Sequence, residues 1–318
     1  MEATAPIEIS PAKGMIEEFQ DFCRALPDKT VFLVLLAAWL LIFQFLGWTT
    51  AIAGKSGSLY EWMWMKWSDP VYDASHGKLI PFAVLALLWF RRDRLVKSVA
   101  GAWGPGLVIL GAALAVHVLA FMLQQPRLSI VALFFGAWGL VGVVWGPGAL
   151  KLSFFPFFVF AFCVPMGGTF AQGLTLPLRL IAAKTTYFIC NHVLDIKVVC
   201  DGTTLRDPAG KFGEYDVAPA CSGIRSFLAL LAITTIMSSF TVSKVWKRAL
   251  LISLSIPLAF VCNILRLSTI VLVAKVWNSE EAGHLADKYF GFVTYAIALG
   301  CVLLVARLLK ENPARTPP

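Results

Sequence analysis

The chain has 318 residues, of which 58% are hydrophobic and only 14% charged, and its mean hydropathy is +0.75. Soluble domains carry about a quarter charged residues, so this composition excludes a soluble globular protein; long apolar runs between short charged stretches are typical of an integral membrane protein. The net charge of +8 comes from short basic clusters beside the apolar runs, the pattern that orients membrane proteins, so no nucleic-acid partner is expected.

The first 29 residues carry mixed charges and no basic stretch leading into a cleavage site, so we expect a cytoplasmic segment and no cleaved signal peptide. Beyond them, eight apolar runs approach the ~20 residues that a membrane span needs. These predicted spans are 30–47, 78–90, 105–123, 128–145, 152–164, 221–240, 249–276 and 289–306. The predicted fold is therefore an all-α polytopic membrane protein, with one transmembrane domain over 30–309 and a cytoplasmic tail, 310–318.

Lysines and arginines in the loops predict the orientation of these spans. With the N-terminus inside, the inner loops hold 14 of them and the outer loops 11, and five of those eleven lie in one long segment. Long loops contribute little to this bias, so the short loops decide it. Both termini are predicted to be cytoplasmic.

Two outer segments show a pattern of their own. Residues 60–67 (YEWMWMKW) are dense in Trp and Met, which favours an anchor at the membrane interface, with a substrate contact as the alternative. Residues 165–220 form the sizeable extramembrane element, a cap on the outer face. Residues 173–194 predict an amphipathic helix lying on the membrane.

The second half of the cap predicts a small β-hairpin. The expected strands are 196–200, 206–210 and 212–217, with a turn at Asp201-Gly202 between the first two. Cys190 and Cys200 lie in this polar region. They can form a disulfide if the cap faces an oxidising compartment, and the sequence leaves that open.

Cys221 is the candidate nucleophile. It follows Pro219 and Ala220 at a predicted helix start, where the helix dipole favours the thiolate. Arg225 lies four residues later on the same helix face and adds a cation. A cysteine at the end of a span is ordinarily a packing residue. The arginine one turn away favours a catalytic role for this thiol instead.

Arg266 and His284 complete the predicted site. A charge inside an apolar span costs about 2.5–3.5 kcal/mol at the helix centre, so Arg266 calls for a reason, and Asn263 shares its helix face. His284 lies in the acidic segment 278–287, predicted to be an outer loop. Cys221, Arg266 and His284 all come to the outer side. A thiol, an imidazole and a fixed cation are the groups that acyl transfer through a thioester requires.

The other histidines rank below His284. His76 lies before the second predicted span, on the outer side, and is the second candidate. His192 lies on the amphipathic segment and is third. His117 lies inside the third span, where a hydrogen bond within the core is its expected role.

Five stretches together resemble the exosortase/archaeosortase family. They are 215–226 (YDVAPACSGIRS), 263–266 (NILR), His284, 72–81 (YDASHGKLIP) with the basic residues 91–94 after it, and 202–205 (GTTL). The block around Cys221 is long and specific, whereas NILR and a lone histidine carry little weight alone. The resemblance covers about 60–306, most of the chain.

The resemblance implies a membrane-embedded, sortase-like cysteine transpeptidase without cofactors. Its substrates would be secreted proteins with a PEP-CTERM-like C-terminal signal: a short motif, a transmembrane helix and a basic tail. By the same resemblance Cys221 is the nucleophile, His284 the general acid/base and Arg266 the transition-state stabiliser. The supporting or substrate-contacting residues are Arg225, Asn263, Ser222 and His76.

The same resemblance implies a multi-pass protein of a bacterial or archaeal cytoplasmic (inner) membrane, surrounded by membrane lipid, with its active site on the extracytoplasmic side. The acceptor is expected to be a cell-surface glycan or lipid. Some members carry an extra soluble C-terminal domain; here such a partner in exopolysaccharide assembly would be a separate polypeptide.

Two other functions are compatible with a polytopic membrane chain. The first is a transporter whose arginines bind an anion, which predicts inverted repeats that are not visible in the sequence. The second is a non-catalytic scaffold for polysaccharide export, in which Cys221 is a packing residue. A metal hydrolase is disfavoured because the histidines and cysteines show no metal-ligand spacing.

Overall fold

A computed structural model gives the structure of the chain. It describes residues 14–49, 56–69, 72, 74–165, 169–210, 214–216, 224–242 and 244–309, and only the backbone of residues 49, 56, 169–175, 215–216 and 224–226. The described residues fall into two compact units. One unit comprises those within 1–59 and 84–158, and the other those within 60–83 and 159–318.

The described part of the chain is mainly helical. In order, its helices are α1 (Met15–Ala25), α2 (Lys29–Phe45), α3 (Leu59–Ser68), α4 (Ile80–Phe90), α5 (Arg92–Lys97), α6 (Gly106–Met122), α7 (Pro126–Val159), α8 (Thr169–His192), α9 (Ile224–Thr241), α10 (Val245–Trp277) and α11 (Glu280–Leu309). Short 3₁₀ helices span Ser75–Lys78 and Phe160–Cys163. The strands are β1 (Trp48–Thr49), β2 (Ser56–Gly57), β3 (Val199–Asp201), β4 (Thr204–Arg206) and β5 (Glu214–Asp216).

In the first unit, α7 reverses direction at Gly146. This residue has φ 91° and ψ 178°, a conformation that glycine alone adopts readily. The indole Nε1 of Trp138 donates to the carbonyl oxygen of Leu150 at 2.8 Å, although 12 residues of straight helix span about 18 Å. The helix therefore consists of two arms, 126–145 and 147–159, which correspond to the predicted spans 128–145 and 152–164.

By length and hydropathy, three helical segments of the described chain qualify as membrane spans. They are Pro126–Cys163, Val245–Trp277 and Glu280–Leu309, and the bent pair α1–α2 is a fourth if it counts as one span. Shorter apolar helices lie at Ile80–Phe90, Gly106–Met122 and Phe227–Thr241. Every predicted apolar run thus coincides with helix where it is described, and the count of eight crossings stays a prediction.

In the second unit, α9, α10 and α11 contact one another, and α8 with β3 and β4 packs on α10. The shared core consists of small and branched residues because the helix and the strands approach closely. Its buried members are Ala182, Ala183, Cys190, Ile196, Val198, Leu205, Ile264, Leu267, Ile270, Val271 and Ala274. The cap is thereby fixed on the half of α10 that carries Arg266.

The cap contains a three-stranded antiparallel sheet in the order β3-β4-β5, with Cys200 opposite Leu205 and Leu205 opposite Tyr215. The predicted turn at Asp201-Gly202 lies one residue away, at Gly202-Thr203, where Gly202 has φ 60°. The strand predicted at 206–210 was wrong. The middle strand of the sheet is β4 (Thr204–Arg206). Asp207 to Gly210 form a turn closed by a backbone hydrogen bond of 3.1 Å.

Asn191 ties the end of α8 to the sheet. Its side-chain amide donates to the carbonyl oxygen of Val198 at 3.1 Å, and its Oδ1 accepts from the Val198 N–H at 3.3 Å. One side chain thus satisfies both backbone polar groups of Val198, which stabilises the junction as a backbone pairing would. The predicted amphipathic helix, 173–194, corresponds to α8.

Cys190 and Cys200 are separate thiols in this cap. Burial raises the pKa of the Cys190 thiol to about 11, and only the thiolate reacts. We therefore expect a water-soluble maleimide to modify Cys190 very slowly near pH ~8 and faster as the pH rises toward that pKa. Mass spectrometry of alkylated peptides from folded and urea-treated protein measures this. Equal modification of Cys190 in both samples, or a Cys190–Cys200 disulfide, would contradict it.

Candidate active site

Three residues of the predicted site lie wholly or partly outside the described structure. Cys221 and Ser222 are outside the described residues, and for Arg225 only the backbone is described, as part of α9. The structure does show what flanks them: β5, hydrogen-bonded to β4 in the cap, ends at Asp216, and α9 is described from Ile224. The chain around Cys221 thus connects the cap sheet to the helix that packs on α10 and α11.

Arg266 of α10 forms an ion pair with Asp287 of α11. Its Nε donates to Oδ1 of Asp287 at 2.8 Å, and its Nη2 lies 2.7 Å from the same oxygen. The two side chains are only 15% and 27% exposed. Such charge-assisted hydrogen bonds are short and strong compared with neutral ones. The pair explains how a span tolerates Arg266, because the cation has a counter-ion on the neighbouring helix.

Gly291 leaves room for the guanidinium group of Arg266. A Cβ atom at Gly291 would lie 3.4 Å from Cζ and 3.6 Å from Nε of Arg266. Gly291 is one helical turn after Asp287, so both residues present the same face of α11. A Cβ at 291 would therefore be in ordinary van der Waals contact with the guanidinium group.

Asn263 lies one turn before Arg266 on α10 and is 7% exposed. Its Oδ1 is buried and accepts no hydrogen bond from the described residues. Both residues line a small cavity of about 20 Å³ at the junction of α9, α10 and α11. Leu230, Ala259, Cys262, Thr294, Tyr295 and Ala298 form the rest of its wall. The prediction that Asn263 and Arg266 share a helix face is confirmed, and both groups point at one site.

His284 lies on a helix and not in the predicted loop. α10 ends at Trp277, Asn278 adopts the left-handed conformation with φ 51°, and α11 begins at Glu280. Only two residues connect the helices because the acidic segment forms the first turns of α11. The imidazole is 67% exposed, and its Nε2 lies 3.6 Å from Oε1 of Glu280. His284 precedes Asp287 by three residues, so both lie on one side of α11.

His76 belongs to a second cluster in the same unit, on the 3₁₀ helix Ser75–Lys78, where it is half-buried. Its neighbour Gly77 packs on the indole of Trp67, since a Cβ at Gly77 would clash with the indole Nε1. That Nε1 donates to the carbonyl oxygen of Cys163 at 2.8 Å. These contacts give the Ser-His-Gly stretch a structural role.

The segment 60–67 forms most of α3 and divides into two faces. Trp62, Met63 and Trp67 are buried, whereas Trp64 and Met65 are exposed. The ammonium group of Lys78 lies 4.5 Å from the Trp64 ring centroid, a cation–π contact. The exposed face suits an interfacial anchor, and it remains open to a substrate contact.

The two remaining histidines have local partners. In the first unit His117 is buried, and its Nδ1 lies 3.1 Å from the Ser129 hydroxyl. This matches the core hydrogen bond expected for it. In the second unit the ring of His192 stacks on Phe188 with centroids 4.6 Å apart.

The structure therefore brings Asn263, Arg266 and Asp287 together, with His284 on the same helix as Asp287. Sequence reasoning missed Asp287. The available signal was a carboxylate three residues after a candidate histidine, at the start of an apolar run. Among the described residues no group of His, Cys, Asp and Glu is arranged to hold a metal ion.

Comparisons with known proteins agree with the resemblance. A search of curated proteins and one of solved structures gave no match. The sequence profile of the family described as transmembrane exosortase (Exosortase_EpsH) matches residues 67–304, about three quarters of the chain. That range includes Cys221, Arg266 and His284, and the match supports a multi-pass membrane protein with an exosortase-type function. The chain belongs to the transmembrane exosortase family.

Proposed function

We propose that this chain is a cysteine transpeptidase that cleaves the C-terminal sorting signals of secreted proteins at the outer face of the membrane. The observation that carries the proposal is the family match over 67–304. It includes the block around Cys221 and the residues of the Arg266 cluster. The signal consists of a short motif, a transmembrane helix and a basic tail, as the resemblance implies.

The first step is acylation of Cys221. The thiolate attacks the carbonyl carbon of the scissile peptide bond, and a tetrahedral intermediate with an oxyanion forms. The C–N bond then breaks, the amine of the helix-plus-tail fragment takes a proton, and a thioester to Cys221 remains. His284 is the proposed proton donor, and its exposure on α11 leaves it accessible to the leaving amine.

Arg266 is the proposed stabiliser of the oxyanion. Its Nε and Nη2 bind Asp287, and Nη1 makes no hydrogen bond to a described residue. A guanidinium has five N–H groups in a fixed plane, so donors remain for a developing negative charge. Because the guanidinium is held by a carboxylate before substrate arrives, little reorganisation is needed during the reaction.

The second step resolves the thioester. A hydroxyl or amine of a cell-surface glycan or lipid attacks the thioester carbonyl, and the Cys221 thiolate leaves. His284 accepts the proton that the attacking group loses. Water in place of this acceptor would give hydrolysis with the same protein groups.

The Arg266–Asp287 pair weighs against the transporter alternative. A cation that binds an anionic substrate directly acts best when no carboxylate already neutralises it. Here Asp287 lies 2.7 Å from Arg266, so the pair carries no net charge. A neutral peptide carbonyl that gains charge only in the transition state suits this arrangement better.

Co-expression with candidate substrates tests the proposal. The reporters are secreted proteins from the same genome that end in a short motif, one apolar span and a basic tail. Matched controls lack the tail or carry the span without the motif. We expect shortened reporter only with the intact signal, and its mass distinguishes a free carboxylate from an attached acceptor. No shortening of any reporter by well-expressed protein would contradict the proposal and favour the transporter or scaffold.

A further inference from the structure

The guanidinium of Arg266 is bound on one edge only. Nε and Nη2 both contact Oδ1 of Asp287, at 2.8 and 2.7 Å. These two nitrogens form one edge of the guanidinium plane. Within the described part of the chain, no other hydrogen-bond partner contacts this group. The Nη1 edge and the remaining Nη2 proton are therefore available to a ligand.

Helix α11 holds the guanidinium of Arg266 in this orientation. Asp287 holds the bound edge, and Gly291, four residues later, has no side chain where a Cβ would lie 3.4 Å from Cζ of Arg266. Arg266 has several rotatable side-chain bonds, and an unheld arginine near the end of a span extends toward water. The ion pair with Asp287 opposes that movement.

We propose that Asp287 is a positioning residue for the reaction: it fixes the guanidinium of Arg266 so that its uncommitted N–H groups face the scissile carbonyl. This inference rests on the proposed function. In this role Asp287 acts on the reaction through Arg266. Its carboxylate is also the counter-ion that allows the cation to remain at 15% exposure.

The expected consequence is a loss of turnover without a loss of substrate binding. The substrate is bound through its motif and its transmembrane helix, which do not depend on Asp287. The oxyanion forms only in the transition state, so a displaced Arg266 lowers kcat and leaves KM unchanged. A misplacement on the order of 1 Å costs about 10²-fold in rate.

The experiment compares Asp287→Asn and Asp287→Ala in the full-length protein, purified in detergent, on a reporter that the wild type cleaves. Glu281→Gln is the matched control, since Glu281 is an exposed carboxylate in the first turn of the same helix. We expect kcat to fall about 10²-fold for Asp287→Ala and less for Asp287→Asn, which keeps one oxygen acceptor. KM should stay at the wild-type value in both Asp287 variants, and Glu281→Gln should match the wild type in KM and in melting temperature.

A double-mutant cycle with Arg266→Lys separates positioning from a purely structural role. If Asp287 acts through Arg266, adding Asp287→Asn to Arg266→Lys lowers kcat little further. Additive losses in kcat, or wild-type kcat in Asp287→Asn, would overturn the inference. If an Asp287 variant fails to fold, the Arg266→Asp/Asp287→Arg exchange is used: recovered folding without recovered activity supports positioning, and recovered activity overturns it. An inactive wild type would instead refute the proposed function.

Discussion

Replacing Cys221 with alanine is expected to abolish reporter cleavage. In a nucleophilic mechanism nothing else in the site can form the thioester, and loss of a nucleophile in a comparable catalytic triad costs about 10⁶-fold in kcat. Cys221→Ser keeps a nucleophilic atom, but a hydroxyl is far less ionised than a thiol at neutral pH, so strong loss is expected there too. Quantitative gels of precursor and shortened reporter measure both variants.

Cys301→Ala provides the control for this substitution. Cys301 is a half-buried thiol on α11, seventeen residues beyond His284, and the proposed mechanism gives it no role. It should cleave reporter at the wild-type rate. Cleavage by Cys221→Ala at that same rate would refute the assignment of Cys221 as the nucleophile and leave it as a packing residue.

Arg266→Lys is expected to reduce kcat by about 10²- to 10³-fold, the effect of removing one donor to an oxyanion. Lysine keeps the positive charge and can pair with Asp287. It cannot bind the carboxylate with one edge and present a second edge to the substrate, because an ammonium is a point charge. Retained activity would mean that charge alone is sufficient.

Two measurements make the Arg266 result specific. Arg307→Lys, in the exposed last turn of α11, is the matched control and should be fully active. Thermal unfolding in detergent reports whether Arg266→Lys leaves the helices packed. If its melting temperature is unchanged and kcat is also unchanged, the two-edged geometry of the guanidinium is not required and a positive charge at position 266 is sufficient.

The apolar runs made the helices predictable, whereas the contacts between helices were not. Composition predicted a helix at each described apolar run, and the spacing of apolar residues over 173–194 predicted α8. The reversal at Gly146 lies between two predicted spans. The helix can reverse there because glycine adopts φ 91° and Pro147 follows it. Strand ends were less predictable, since three-residue strands such as β4 carry too short a pattern to locate.

The site shows the same division. The sequence predicts Arg266 as a functional candidate because a charge in a span is costly, and it places Asn263 on the same face. It does not predict the partner of Arg266, because Asp287 is 21 residues away and only the packing of α10 on α11 joins them. His284 was expected in a loop because acidic and polar residues surround it, although these residues also suit the first turns of a helix.

The length of α11 has a consequence for where substrates are cut. Thirty residues of helix, Glu280–Leu309, span about 45 Å, while the hydrocarbon core of a bilayer is about 30 Å thick. In the proposed orientation the outer end of α11, which carries His284, extends beyond the hydrocarbon core. Under the proposed function, the length of this extension sets how many residues separate the cleaved bond from the start of the substrate's own membrane helix.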